Sequence, residues 1–313
     1  MSGKHTERLA ADADGIARAA ALLREDGLVA LPTETVYGLA ARADSEAAVA
    51  AIYRAKGRPD FNPLIVHVAS LEMARSLGEF DAIAEELAAR FWPGPLTLVV
   101  PLREDAPVVP AVTAGLPTIA LRMPDHQAMQ AVLRETGLPL AAPSANRSGA
   151  VSPTSADHVL LSLGGRIDAV LDAGPSPQGL ESTIVAMRGG GPWQLLRPGP
   201  VPREQLVEVL GPPVEIDAAK IEAPGQLASH YSPGKPLRLG AQTAEPDEFL
   251  IGFGSVAGDC DLAPDGDLAR AAARLYACLH EAATSAQPRV AVAPIPDAGI
   301  GAAINDRLRR AAA

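Results

Sequence analysis

Apolar residues recur at helical spacing over 15–26, GIARAAALLRED, where Ile16, Ala19, Ala20, Leu22 and Leu23 fall on one face and Gly27 closes the helix. LVAL at 28–31 is a continuous apolar run ending at Pro32, the pattern of a buried strand. Residues 45–55 open on a Ser N-cap and predict a second helix. PLIVHVA at 63–69 predicts a strand. DAIAEELAARFW at 81–92 predicts a helix stopped by Pro93 and Gly94. LTLVVPL at 96–102 and TIALRMP at 118–124 read as strands, HQAMQAVLRETG at 126–137 as a helix, and LPLAAPSAN at 138–146 as a strand entering a loop. Two more strands are predicted at 167–174 and 182–187. Strands alternating with helices define the α/β class.

The texture changes at residue 211. Five prolines in the 26 residues of 211–236 interrupt any periodicity and predict an extended, semi-rigid linker. Beyond it LRLG, EFLIGFG, DLARAAARLYACLHEAATSA and RVAVAPIP read as strand, strand, helix, strand, a second and smaller α/β unit. The predicted organisation is therefore a first domain over 10–210, a linker and lid over 211–236, and a second domain over 237–313.

The 313 residues suit two domains, and 48% hydrophobic residues are ample for two cores. A formal net charge of −10 argues against a protein that coats nucleic acid or anionic membrane. No apolar run approaches the roughly 20 residues of a membrane span. The start, MSGKHTERLAADADG, lacks the apolar stretch of a signal peptide. The two cysteines, Cys260 and Cys278, imply no disulfide framework, which fits a reducing compartment. These features lead to the expectation of a cytoplasmic protein.

Several chemistries are missing from the motifs. There is no GxxxxGK[ST] and no GxSxG, and the six histidines show no metal-ligand spacing. GFGSVAG at 252–258 mimics a dinucleotide fingerprint, but DCDLAPDGD follows where a helix should open. What remains is a set of polar residues at strand ends. Lys56, Arg58 and Asn62 lie in a Gly/Pro loop, where two closely spaced cations suit an anion with several oxygens. Arg122 lies within an apolar strand and requires a carboxylate, from the protein or from a ligand, because an unpaired buried guanidinium is costly. Ser144, Asn146 and Ser152 follow one strand, Glu181, Ser182 and Thr183 precede another, and Arg197 comes after it. Many hydroxyls, amides and cations without a nucleophile–base pair describe a site that aligns a polyanion and a small polar ligand.

KGR with SAN resembles the KxR…SxN signature of the YrdC-like family. LPTETVYGLAA, NPLIVHV, WPGPLTLV, LRMP, ESTIV and LRPG occur in the family's order and spacing. HYSPGKP is similar to the linker of the long, two-domain L-threonylcarbamoyladenylate synthases. The resemblance implies a twisted open mixed sheet with helices and a large cavity, followed by a small Rossmann-like domain, although 237–313 is short for that second domain.

It also implies a reaction in which L-threonine, bicarbonate or CO2, and ATP give threonylcarbamoyl-AMP and pyrophosphate. The product would then go to a tRNA threonylcarbamoyl transferase. Position by position, the resemblance implies threonine contacts from Thr35, His67, Arg122, Ala142 and Ser182. ATP contacts would come from Lys56, Arg58, Asn62, Thr118, Ser144, Asn146, Ser152, Arg197 and the linker residue Tyr231, with Lys56 and Arg58 catalytic. Mg2+ would arrive with the ATP phosphates. Thr33 and Glu34 read as turn or supporting residues, and Tyr37 as a brace. An RNA-binding module, or at least weak RNA contact, and a carbamoyl transfer like that of the hydrogenase maturation enzymes are the alternatives.

Overall fold

The computed structural model describes residues 5–59, 61–187, 192–214 and 230–313. The first part of the chain contributes β1 (Glu7–Ala10), α1 (Ala13–Arg24), β2 (Val29–Leu31), β3 (Gly38–Arg42), α2 (Glu46–Lys56), β4 (Ile65–His67), α3 (Leu71–Leu77), α4 (Ala82–Phe91), β5 (Leu96–Pro101) and α5 (Pro110–Thr113). It continues through β6 (Thr118–Arg122), α6 (Gln127–Thr136), β7 (Leu140–Ala141), α7 (Ala156–Leu163), β8 (Ala169–Asp172), β9 (Thr183–Ala186), β10 (Gln194–Arg197) and α8 (Arg203–Leu210). A second unit follows with β11 (Leu237–Leu239), β12 (Glu248–Gly252), β13 (Cys260–Asp261), α9 (Leu268–Thr284), β14 (Arg289–Val292) and α10 (Ile300–Ala311).

The first ten strands form one mixed sheet in the order β1-β8-β2-β3-β7-β4-β6-β5-β9-β10. The last four form a separate parallel sheet, β11-β14-β12-β13. The expected α/β class, the mixed sheet and the smaller second sheet are all present. Apolar side chains cover both faces of the large sheet. One face buries Leu39, Val66, Leu98 and Leu121 under α2 and α4, and the other buries Val29, Leu31 and Leu171 under α1 and α6. The loop after β12 leads to β13 without opening a helix, so GFGSVAG is a turn.

Several elements were illegible in the sequence. Strands β1, β3, β10 and β13 and helices α3, α5, α7, α8 and α10 are short, or are polar enough on one face to hide their period. The cysteine reading also needs correction. Cys260 of β13 and Cys278 of α9 are joined as a disulfide, so the argument from cysteine usage to a reducing compartment falls away. Eighteen residues separate the two cysteines, and only the folded contact between strand and helix brings them together. Most of the predicted linker, 215–229, lies outside the described residues.

The second unit packs directly on the first. Its core around Phe249, Ile251, Leu275 and Leu279 also takes in Val36, Val151, Leu180 and Tyr231. Gly179 marks the closest approach. Its φ is +69°, and a Cβ there would lie 2.5 Å from the Ala272 carbonyl oxygen of α9. Gly179→Ala is therefore expected to destabilise the protein by at least about 1–2 kcal/mol, from the left-handed backbone alone. Urea denaturation checks this, and an unchanged midpoint would contradict the close packing.

Candidate functional site

Three local features bring the polar residues together. Strands β4 and β6 are parallel neighbours whose register sets His67 beside Arg122 at their carboxyl ends, where ligands collect in open α/β sheets. Helix α2 stops at Gly57, which takes the left-handed conformation (φ +61°) and turns the chain so that Arg58 faces inward. The loop after β7 runs antiparallel beside Gly38, pairing it with Ser144.

These elements border a polar cleft lined by residues of both units. Of the predicted threonine residues, Thr35, His67, Arg122, Ala142 and Ser182 all line it. Of the predicted ATP residues, Arg58, Ser144, Arg197 and Tyr231 do so. The others lie behind or away from the wall. Lys56 is buried, and its Nζ donates to the carbonyls of Ser144 (2.6 Å) and Asn146 (2.5 Å), so it braces the SAN loop. Burial, and to a smaller degree Arg58, push the Lys56 pKa well down. Asn146 ties the same loop by donating to the carbonyls of Arg147 and Ala150. The Asn62 backbone carbonyl accepts from Arg58 Nε at 3.3 Å. Ser152 donates to Glu181 at 2.5 Å. Thr118 opens β6, four residues or about 13 Å along the strand from Arg122.

The carboxylate that Arg122 requires comes from the chain itself. Arg122 pairs with Glu34 Oε1 at 2.5 Å and donates to Thr35 Oγ1 at 2.9 Å and to the Gly94 carbonyl at 3.2 Å. Both side chains of the ion pair are 4% exposed. Of the two sources that the sequence left open, the protein supplies this carboxylate, which gives Glu34 a defined task. Among the described residues these bonds use three of the five N–H donors of the guanidinium. Thr33 Oγ1 organises the turn, bonding Thr35 Oγ1 at 2.9 Å and donating to the Val36 carbonyl at 2.6 Å. Tyr37 does brace the wall, donating to the Gly174 carbonyl at 2.7 Å.

Arg197 Nε donates to the Ser182 carbonyl at 3.0 Å and Nη2 to Ser182 Oγ at 3.1 Å. Burial lowers the pKa of Arg58 to about 10, which still leaves it cationic at neutral pH. Burial, aided by Arg122, presses His67 down to about 3, so it is a neutral hydrogen-bonding group. Tyr231 holds a left-handed backbone (φ +66°) and is 1% exposed, with the Arg307 guanidinium 5.4 Å from its ring centre. Among the described residues eight buried side-chain N or O atoms lack a partner, and those of Glu34, Asn62, His67, Asn146 and His230 belong to the wall or its immediate support. Unsatisfied polar atoms gathered around one cavity mark a place for ligand or water.

Sequence reasoning named Glu181 among the polar strand-end residues but gave it no ligand role, and did not name His230, yet both line the cavity. His230 had a signal, its place beside Tyr231 in HYSPG. Glu181 looked like a turn residue because its partners, Tyr276 and Arg307, lie about 95 and 126 positions away.

An α/β sheet whose strand ends open into a cationic, hydroxyl-rich cavity under a second unit defines a protein that binds small polar and anionic ligands. The chain belongs to the Sua5/YciO/YrdC family: residues 21–199 match its model, described as Telomere recombination, and 201–313 match the model described as Threonylcarbamoyl-AMP synthase, C-terminal domain. It is 42% identical to the threonylcarbamoyl-AMP synthase of Bacillus subtilis strain 168, over 98% of this chain and 95% of that protein. The crystal structure of Pyrococcus abyssi Sua5 complexed with L-threonine superposes with a TM-score of 0.89 at 36% identity, covering 98% of this chain and 97% of that one. The Escherichia coli YciO structure, 18% identical with a TM-score of 0.53 over 62% of this chain, shares the fold of the first unit.

Two expectations follow from the buried charges. Glu34→Ala leaves Arg122 uncompensated and is expected to cost about 3–5 kcal/mol of stability. Arg75→Ala, which breaks an exposed pair with Glu85, is expected to cost less than about 1 kcal/mol; chemical denaturation of both variants checks the contrast. The second concerns acid. Burial holds His67 and His230 at about 3 and His280 at about 4, below the ordinary 6.5. Below pH 6.5 the unfolded chain takes up protons that the folded one refuses, so stability falls as pH drops toward 4, by up to about 1.4 kcal/mol per pH unit for each histidine. Denaturation midpoints at pH 7.5 and 5 measure the slope, and equal midpoints would refute it.

Proposed function

We infer that the chain is a threonylcarbamoyl-AMP synthase, which joins L-threonine, bicarbonate or CO2, and ATP into threonylcarbamoyl-AMP and pyrophosphate. This is the first step of threonylcarbamoyladenosine formation in tRNA. The observation that carries the reading is one cavity lined both by Arg122 with Thr35 and His67 and by Arg58 with Arg197 and Tyr231, in a chain similar to synthases over nearly its whole length.

On this reading Arg122 and Thr35 orient the threonine carboxylate, with neutral His67, Ala142 and Ser182 completing its contacts. The amine, as free base, adds to CO2 and releases a proton to water to give a carbamate. A carbamate oxygen then attacks the α-phosphorus of ATP, the bond from that phosphorus to the bridging oxygen breaks, and pyrophosphate leaves. Arg58 and Arg197 offset the charge that builds on the phosphates. Lys56 acts at one remove, holding the SAN loop through two carbonyls so that Ser144 faces the nucleotide. Asn62, Asn146, Ser152 and Thr118 support or extend the ATP contacts.

Among the described residues no cluster of acidic or histidine side chains is arranged to hold a metal. Both Glu181 oxygens are already engaged by the protein. These residues fit Mg2+ that enters bound to the ATP phosphates, where it neutralises their charge, and they do not fit a cage of its own. Carbamate and mixed anhydride both hydrolyse readily, so a closed cavity with Tyr231 over the nucleotide protects them. No covalent enzyme intermediate is required, in keeping with the lack of a nucleophile–base pair in the sequence. The product passes to a tRNA threonylcarbamoyl transferase, which places the reaction in the cytoplasm with its tRNA. A net charge of −10 disfavours extensive RNA contact.

Incubation with ATP, L-threonine and bicarbonate is expected to release pyrophosphate and form the adenylate, and omission of threonine is expected to abolish both. Pyrophosphate release at the same rate without threonine would overturn the reading.

A further inference from the structure

Glu181 is out of place in a cavity meant for a polyphosphate. It lines the wall, is 5% exposed, and sits next to Ser182, which Arg197 holds by two hydrogen bonds. An uncompensated carboxylate there would repel a nucleotide and draw Arg197 toward itself. The compensation comes from the second unit. Arg307 of α10 is fully buried, and its Nε donates to Glu181 Oε2 at 2.9 Å. The Tyr276 hydroxyl of α9 donates to the same oxygen at 2.8 Å, while Ser152 donates to Oε1 at 2.5 Å. Arg307 is itself held by Asp306 at 2.7 Å, and Asp306 is shared with Arg310. Burial pushes the Glu181 pKa up, yet Arg307 and Arg197 outweigh it and hold the group at about 2, so the carboxylate is charged at neutral pH.

We propose that Arg307 is a positioning residue for the nucleotide subsite: the second unit completes the cavity by supplying the cation that neutralises Glu181. The inference rests on the synthase reading only in taking the polyanion at Arg58 and Arg197 to be ATP. It differs from a lid. Arg307 does not need to move, and its contribution is a charge delivered from α10 to the wall of the first unit. The same guanidinium lies over the Tyr231 ring, so the one residue also steadies the tyrosine in its left-handed conformation.

The test separates charge from mere docking of the two units. In the full chain, Arg307→Met is expected to weaken ATP binding on the order of tenfold, the effect of one uncompensated charge about 10 Å away at an effective dielectric near 20. The KM for threonine should change less than about twofold. The double variant Glu181→Gln/Arg307→Met removes both charges of a neutral pair and is expected to recover ATP affinity to within about threefold of wild type. Calorimetric ATP titration and the two KM values read the outcome.

Unchanged ATP affinity in Arg307→Met overturns the proposal, and so does a double variant as impaired as the single one. If Arg307→Met does not fold, the comparison of the double variant with wild type still decides, because a tenfold loss there means that Arg307 acts otherwise than by neutralising Glu181. Wild-type protein that binds no ATP would overturn the synthase reading and this inference with it. Wild-type protein that binds ATP but turns nothing over would overturn the synthase reading alone.

Discussion

Arg122 is a full positive charge at the carboxyl end of a buried strand, and much of the site can be understood as the means of keeping it there. A guanidinium taken out of water is tolerated only when paired and hydrogen-bonded. Glu34 supplies the opposite charge, Thr35 and the Gly94 carbonyl supply acceptors, and all three must be brought to one point from different parts of the chain. The tight PTET turn after β2 follows from that requirement. Thr33 closes the turn on the Val36 carbonyl, so that Glu34 and Thr35 project toward β6 together. With the pair formed, the two charges cancel, and neutral His67 beside them adds none. A pocket of zero net charge suits a zwitterion such as an amino acid, which brings one charge of each sign.

The cations of the same cavity are held in another way. Arg58 is bound to backbone carbonyls, which satisfy its N–H groups without cancelling its charge, and Arg197 donates to the Ser182 carbonyl. Lys56 is held likewise beneath the SAN loop. Carbonyl partners therefore leave Arg58 charged, whereas a carboxylate partner neutralises Arg122. That contrast in partner type lets one cavity offer different terms to a zwitterion and to a polyphosphate, and on the proposed reading it sorts the two substrates before any chemistry begins.

What the sequence made legible follows the range of the interactions involved. The α/β class, helices α1, α2, α4, α6 and α9 and most of the buried strands rest on local periodicity, and they appear where the pattern placed them. Arg122's need for a carboxylate was legible too, because it depends only on a charged residue in an apolar strand. The identity of that carboxylate was not, since Glu34 and Arg122 are 88 positions apart and only the strand order joins them. Glu181 carried even less signal. Its meaning depends on Tyr276 and Arg307, which lie in another sheet's layer and reach it only when the two units pack. The Cys260–Cys278 disulfide was missed for the same reason, because a spacing of 18 residues says nothing until β13 and α9 are placed side by side.

The junction between the units carries more than apolar packing. If the second unit merely docked, its contact with the first could be apolar throughout, and Val36, Val151 and Leu180 already provide such a contact. Instead a charged cluster of Glu181, Arg307, Asp306 and Arg310 is buried or half-buried at the junction. Buried ion pairs are weak sources of stability compared with apolar residues of the same size. A fold that keeps one beside its cavity gains little from it in stability, so the more economical account is that the pair serves the cavity. Tyr231 points the same way. It holds a backbone conformation costing a non-glycine residue about 1–2 kcal/mol, fixed between His230, Tyr276 and Arg307. Strain and buried charge thus coincide where the second unit meets the wall of the site, and both follow if the two units form one active site.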